Sequence, residues 1–568
     1  MVGSCTCKKI CFLFLTGMLL FTSAGYQECQ AAKQKKLIGN QIDSEVFTTR
    51  QRTIVEDSLR SGSKKIFPYE ISKYRKYGYG TWHYGPGIES IKRFDLMPTA
   101  YSDASVVNKA KLLHFFTLTD IHITDKESPA QAIYFGYKGG IISAYSGIML
   151  YSTHVLDAAV QTINALHKAD TIDFGISLGD NINNTQYNEL RWFIDVLDGK
   201  MINPDSAVKD DPIPGPHNDY QDEYRAVGLD KTIPWYQALG NHDHFWMGVK
   251  PPNDYIRKTM TGNTILKMGN IFTPEGYSRR DFCMGDLDGR TRYGNVIGAG
   301  KAGQINPPEI PADPARHSLS TGEWMREFFN TTSNPVGHGF NINDAAKGFA
   351  CFTFEPKSNV PLKVIVLDDT QRNDDPEGDI YGHSSLDKER YDWLCRELDK
   401  GQAEGKLMII AAHIPIGIAP AGNEVGWNPH PPLSEETLIA KLHTYPNLIL
   451  WIAGHRHLNT VTALKSPDPK KPELGFWQVE TASLREFPQQ FRTFEIVRNS
   501  DNTVSIITTN VDPAVKKGSF AGISRSYAVA AQQIFNLPPA KSYNAELFKQ
   551  LSPEMQTKLQ NCGTAIIR

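Results

Sequence analysis

The stretch LILWIAGHRH, Leu448–His457, decides how this chain is to be read. Six apolar residues, the length of a buried strand, run through Gly454 into two imidazoles, His455 and His457, separated by Arg456. Four other apolar runs end in the same manner. FFTLTDIH ends in Asp120 and His122, and FGISLGDNIN ends in Gly179, Asp180 and Asn181. WYQALGNHD ends in Gly240, Asn241, His242 and Asp243, and LMIIAAHIP ends in His413. Any one of these polar ends, taken alone, reads as a turn residue or a satisfied core histidine. Their conjunction needs a common cause.

In α/β sheets, ligands lie in the crevice outside the carboxyl ends of the strands. Convergence of the five ends there assembles Asp120, His122, Asp180, Asn241, His413, His455 and His457 in one place. This is a mixed oxygen and nitrogen donor set without thiolates, which suits divalent first-row ions better than calcium. It exceeds what one tetrahedral ion takes, and fits two ions sharing a bridging carboxylate. Gly179, Gly240 and Gly454 each precede one of these residues, where the backbone must turn sharply. His455 and His457 are expected on the loop past the strand, each turned toward a different ion.

The motifs DIH, GDNIN, GNHD, AHIP and GHRH, in this order, resemble the five signatures of the calcineurin-like metallophosphoesterase superfamily, over roughly residues 111–498. The resemblance implies an α/β four-layer sandwich, with two packed, mainly mixed β-sheets flanked by helices. It implies that Asp120, His122, Asp180 and His457 hold one divalent ion, and that Asp180, Asn241, His413 and His455 hold the second. His242 is then no ligand but a catalytic residue facing the substrate phosphate, with Asp243 fixing its ring. Purple acid phosphatases in this superfamily carry an iron-binding tyrosine three residues beyond the bridging aspartate. Asn183 stands there in this chain, which argues against a tyrosinate-bound ferric ion and leaves manganese, iron, zinc or another divalent pair open. The activity implied is hydrolysis of phosphate mono- or diesters by attack of a metal-bridging hydroxide. A non-catalytic scaffold of the same fold and a nuclease of the same superfamily are the alternatives.

The rest of the chain sets the frame. Its 568 residues, 40% hydrophobic and 21% charged, describe a large globular protein, and a formal charge of −2 gives no general pull toward nucleic acid. The expected substrate is a small-molecule or lipid-headgroup phosphate ester, with no nucleic acid and no stable protein partner. Lys8 and Lys9, the apolar run ICFLFLTGMLLF and the small residues Thr22, Ser23 and Ala24 describe a secretory signal over 1–24. Export to a periplasm or the exterior follows, with an uncleaved membrane anchor as the alternative. Residues 25–110 form an N-terminal extension rich in Tyr, Gly and Lys, expected to drape over the main domain. The catalytic domain is expected over 111–512, with loop insertions near 185–231 and 245–347, followed by a weakly helical tail over 513–568.

GFWQVETAS, FRTFEIVR and TVSIITTNV read as antiparallel strands, the last two joined by an NSDN turn. The five cysteines beyond the signal, Cys29, Cys283, Cys351, Cys395 and Cys562, are widely spaced and give no readable disulfide framework. His244 is expected on an exposed loop. Arg456 is read either as a phosphate contact or as an outward-facing charge. Arg485 and Gln490 are expected near the cleft rim without an assigned role. Asn183 and Asn330 head glycosylation-type triplets.

Overall fold

The structure, a computed structural model, describes residues 42–566 except 140, 209, 271–272, 373–381, 420–425 and 539. The signal reading of 1–24 and Cys29 lie outside the described residues. Two sheets dominate. The first contains β1 (Ile91–Arg93), β2 (Asn108–Leu118), β3 (Phe174–Ser177) and β4 (Trp235–Gln237). The second contains β5 (Phe352–Phe354), β6 (Leu362–Val366), β7 (Leu407–Ala411), β8 (Leu448–Ala453), β9 (Val461–Leu464) and β10 (Phe476–Glu480). The chain then returns to the first sheet with β11 (Phe491–Asn499), β12 (Val504–Val511), β13 (Ala545–Lys549) and β14 (Thr564–Ala565).

The first sheet runs β1-β13-β12-β11-β2-β3-β4, with β14 also paired to β2, and the second runs β5-β6-β7-β8-β10-β9. In the first, β2, β3 and β4 are parallel, while β11 and β12 form an antiparallel hairpin beside them. In the second, β6, β7, β8 and β10 are parallel and both edges are antiparallel. Both sheets are therefore mixed.

Side-chain alternation explains the layering. In the second sheet Val364, Ile409, Leu450 and Ile452 face the first sheet, where they meet Phe115, Phe174, Ile176 and Phe494. The intervening Ile365, Met408, Ile410 and Trp451 face outward and are covered by α5 (Lys388–Ala403) and α6 (Glu435–Leu442) through Leu394, Leu398, Leu438 and Leu442. In the first sheet Phe116 and Leu118 face α1 (Ser152–Ala169) and α2 (Tyr187–Asp198), whose Val155, Ile163, Leu190 and Phe193 complete that core. A strand buried on both faces must be apolar at every position, which is why LMIIA and LILWIA show no polar alternation. The order is helix, sheet, sheet, helix: the four-layer α/β sandwich.

One strand assignment needs correction. GFWQVE does not pair with FRTFEIVR: β10 lies in the second sheet, parallel to β8, and β11 lies in the first. Trp477 and Val479 on β10 bury into the layer between the sheets, and the chain crosses from one sheet to the other through residues 481–490. The extension and the tail meet, because β1 pairs with β13 and together they close one edge of the first sheet. The tail also holds α7 (Phe520–Phe535), packed beside residues 147–151 and α1. The segment 245–347 carries its own three-stranded sheet, Lys267–Met268, Phe282–Asp288 and Asn295–Lys301. Cys283, Cys351, Cys395 and Cys562 form no disulfide with one another.

Candidate metal centre

The parallel strands β2, β3, β4, β7 and β8 all end at one side of the sandwich, and the chain beyond each end supplies the cluster. Asp120 and His122 follow β2, Asp180 follows β3, and His413 follows β7. Asn241 and His242 begin the single helical turn α3 (Asn241–His244) after β4. His455 and His457 follow β8. The loops are stitched together by backbone: Asp120 N–H donates to the Gly179 carbonyl (3.1 Å) and His122 N–H to that of Asp180 (3.0 Å).

The ligand-type atoms fall into two connected groups. His457 Nε2 lies 3.2 Å from Asp120 Oδ1 and 3.3 Å from His122 Nε2, and His122 Nε2 is 3.8 Å from Asp180 Oδ2. Across Asp180, His413 Nε2 is 3.4 Å from the same Oδ2, 2.9 Å from Asn241 Oδ1 and 3.3 Å from His455 Nδ1. His455 Nδ1 is 3.2 Å from Asn241 Oδ1. Ligands bound tetrahedrally at about 2.1 Å stand roughly 3.4 Å apart, so these spacings suit donors arranged around small divalent ions. Asp120 Oδ1 is buried, with His457 Nε2 as its near neighbour at 3.2 Å, so its electron pairs face the imidazoles. The residues present therefore fit a pair of divalent ions.

Asp120, His122, Asp180, His455 and His457 all have left-handed backbone, with φ of 52°, 48°, 52°, 70° and 56°. Such conformations cost non-glycine residues about 1–3 kcal/mol each and persist where packing over-determines them. The glycines serve a different need, close approach. A Cβ on Gly240 would stand 2.2 Å from Asp180 Oδ1, and one on Gly454 would stand 2.0 Å from Thr119 Oγ1 and 2.5 Å from Asp120 Oδ2.

Charge is tightly rationed here. Burial alone disfavours every ionised form. Asp180, then Asp120 and Asp369, outweigh burial at His413 and hold it up to about 10, while His122 and His455 are pushed well below the ordinary imidazole range. His457 stays well above it because Glu486 and Asp120 face it. The carboxylates thus favour positive charge at His413 and His457, the kind of charge a divalent cation supplies.

Of the residues singled out from sequence, the seven ligand candidates come together. His242 joins them: its backbone N–H donates to Asp180 Oδ1 (2.8 Å) and its ring lies 4.5 Å from that of His122. His242, His122 and Asp180 place ligand-type atoms within 4.8 Å of one another. Asp243 requires a correction, because it does not hold the His242 ring. The Nδ1 of His242 sits 2.9 Å from the Asn183 carbonyl. Asp243 instead accepts N–H groups from Gly240 (2.9 Å), Asp180 (3.0 Å) and Asn181 (3.1 Å), fixing the loop that carries Asp180. The single turn of α3 folds the Asp243 carboxylate back onto its own N-terminus, away from its neighbour's ring.

His244 is buried rather than exposed, its ring stacked on Phe245 at 3.9 Å. Arg456 neither reaches the cluster nor faces out freely, since Glu480 accepts its Nε (2.9 Å) and Nη2 (2.7 Å). Arg485 is buried, not at a rim, and donates to the His122 carbonyl (3.1 Å) and Thr124 Oγ1 (2.8 Å). Gln490 is buried against Asp512 and Asn459. Asn183 is fully buried, which closes its triplet to glycosylation in the folded chain, whereas Asn330 is exposed.

Two supporting carboxylates escaped the sequence reading. Glu486 Oε2 lies 2.7 Å from His457 Nδ1, orienting that ring from behind. Asp369 accepts the backbone N–H groups of His413 (3.2 Å) and Ile414 (3.1 Å). Asp369 had a signal: VIVLDD is a sixth apolar run that ends in carboxylates. Glu486 had none, as it sits in the irregular crossing segment.

Fold and site together define a four-layer α/β sandwich whose strand ends gather carboxylates and imidazoles at metal-binding spacing. No protein-family model matches the chain, and no curated protein sequence matches it. Similar solved structures include a dimetal phosphatase from Danio rerio, with 10% identity over 71% of this chain and 97% of that one, at a TM-score of 0.36. GAP50, the anchor in the inner membrane complex of Plasmodium, is 11% identical over 81% of this chain and 98% of its own, at a TM-score of 0.30. The sulfate thiohydrolase SoxB of Thermus thermophilus is 12% identical over 74% of this chain and 60% of its own, at a TM-score of 0.28. Likenesses this loose assign no reaction; the chain's own sheets and donor atoms carry the class.

Proposed function

We propose that this chain is an exported, dimetal-dependent phosphoesterase that hydrolyses small-molecule or lipid-headgroup phosphate mono- or diesters. The observation that carries the reading is the cluster itself: seven donor side chains from five strand ends, joined through Asp180. Asp120, His122, Asp180 and His457 would hold one ion, and Asp180, Asn241, His413 and His455 the other. When bound, two divalent ions neutralise phosphoryl charge and make water acidic enough to supply a nucleophile at neutral pH.

The chain's own residues do the rest. Asp180, by touching both halves, sets the spacing between them. Its loop is clamped by Asp243 through the backbone N–H groups of Asp180, Asn181 and Ile182, so the Asp180 carboxylate is pre-positioned. Glu486 and the Leu178 carbonyl, 2.8 Å from His413 Nδ1, orient two imidazoles from outside the cluster. His242, with Nδ1–H donated to Asn183, keeps Nε2 directed toward the cluster, where it serves to meet a phosphoryl oxygen or protonate the leaving group. Export rests on the leader read over residues 1–24. Among the described residues, no helix is long and apolar enough to cross a membrane.

The test is turnover of a chromogenic phosphodiester and monoester by protein reconstituted with manganese, iron or zinc, with and without chelator. Metal-dependent hydrolysis that chelator abolishes is the expected result. Folded, metal-loaded protein with no turnover on a broad ester panel would leave a binding scaffold, and preference for nucleic acid would move the reading to a nuclease.

A further inference from the structure

A cavity of about 500 Å³ lies behind the α3 turn, and its lining includes His244, Arg257, Arg326, Lys347, Arg372 and Arg390. Arg390 is buried and fixed, donating to Asp368 (3.1 Å) and to the Gly348 carbonyl (3.2 Å). Arg372 lies 2.9 Å from the same Asp368. Arg257, Arg326 and Lys347 are exposed, and among the described residues none of the three has a carboxylate oxygen within 4.0 Å. Three carboxylates of the described residues here are already committed, Asp368 among them. Asp387 caps α5 and pairs with Arg390, and Glu323 accepts Ser320 N–H and Oγ–H at the start of α4 (Thr321–Glu327). Among the described residues, Arg257, Arg326 and Lys347 thus bring positive charge without a paired carboxylate to one concave space.

Like charges gathered in a cleft repel, and the focused field attracts an anion. Guanidinium forks match the paired oxygens of a tetrahedral oxyanion, and an ammonium adds a point charge. The cavity also shares two partitions with the metal centre. On α3, Asn241 and His242 belong to the cluster while His244 lines the cavity. Beyond β6, Asp369 holds the His413 backbone while its neighbour Asp368 holds Arg372 and Arg390.

We propose that this cavity is a second, metal-independent binding site for a phosphate-type oxyanion, with Arg257, Arg326 and Lys347 as its capturing residues. The site does not rest on the phosphoesterase reading, because anion capture here needs neither ions nor turnover.

The experiment titrates metal-stripped, full-length protein with orthophosphate, and in parallel with phenyl phosphate, at low ionic strength by calorimetry. Saturable binding is expected, weakened about tenfold or more in the Arg326→Ala/Lys347→Ala double variant, whose exposed side chains leave the core intact. Orthophosphate binding tighter than phenyl phosphate supports a free inorganic anion, and equal binding supports the phosphate end of an ester. Asp180→Asn should leave both titrations unchanged. Absence of binding to metal-stripped protein, or equal affinity in the double variant, overturns the proposal. Failure of the phosphoesterase reading would appear elsewhere, as lack of metal-dependent turnover.

Discussion

The two sheets contribute to the cluster unequally. The eight-stranded sheet brings Asp120, Asp180 and Asn241, which are all of its oxygen donors, together with His122. The six-stranded sheet brings His413, His455 and His457, and no oxygen. The first side alone is a pair of buried carboxylates with too little counter-charge, and the second alone is three imidazoles with no anchor for a cation. Each side is costly by itself, since buried polar groups need partners. Docking of the sheets through Phe115, Phe174, Val364, Ile409 and Leu450 brings the sides together, so formation of the core and formation of the site are one event. Both sides carry left-handed backbone, at Asp120, His122 and Asp180 on one and at His455 and His457 on the other, held by the hydrogen bonds that cross between the loops.

The largest expected effect comes from breaking the link between the sides. Asp180→Asn removes the carboxylate that lies against both His122 and His413, and should reduce activity to that of chelator-treated protein while the circular dichroism spectrum stays native. A variant that loses activity only by unfolding would contradict this. His242→Ala acts on the oxygen-rich side without removing one of the seven proposed ligands. Metal content should hold while turnover falls about 10²–10⁴-fold, the range for a lost general acid. Loss of metal instead would make His242 a ligand.

A smaller effect sharpens the imidazole side. Glu486→Gln leaves every donor in place but loosens His457, and should weaken metal affinity about 10–100-fold. Competition with a fluorescent chelator reads this directly, and unchanged affinity would remove Glu486 from the site.

The smallest effect on chemistry, and a plain one on stability, belongs to Asp368. Burial opposes its charge, but Arg372 and Arg390 outweigh burial and hold it at about 2. A carboxylate held below its unfolded value of 3.8 stabilises the fold above that pH, and the contribution fades as pH falls through about 2. Asp368→Asn should therefore cost about 3–5 kcal/mol at neutral pH, as expected for breaking a buried ion pair. The gap from wild type should close in acid. Denaturant unfolding at neutral and acid pH checks it, and a gap independent of pH would contradict it.

Much of this was legible in the sequence because each strand that feeds the cluster writes the same signal, an apolar run closed by polar residues. The layering was legible for a related reason, as runs without polar alternation must be covered on both faces. Pairing was not. GFWQVE and FRTFEIVR follow one another and read as neighbours, yet period-two patterning tells which face a residue takes and not which strand lies beside it. The burial of Trp477 between the sheets, a tertiary fact, places β10 with β8. His244 was misread because one polar residue beyond a glycine turn has no periodicity to reveal its burial. The role of Asp243 was missed because adjacency in sequence suggested a partner that the helical turn points away. Glu486 lies in a segment with no regular structure, and only the fold brings it to His457.

The most direct measurement is elemental analysis of the purified, folded chain after reloading with divalent metal, beside Asp180→Asn treated alike. Two ions per wild-type chain, with the variant largely emptied, is the expected result. Well-folded wild-type protein that retains no stoichiometric metal would contradict the central claim.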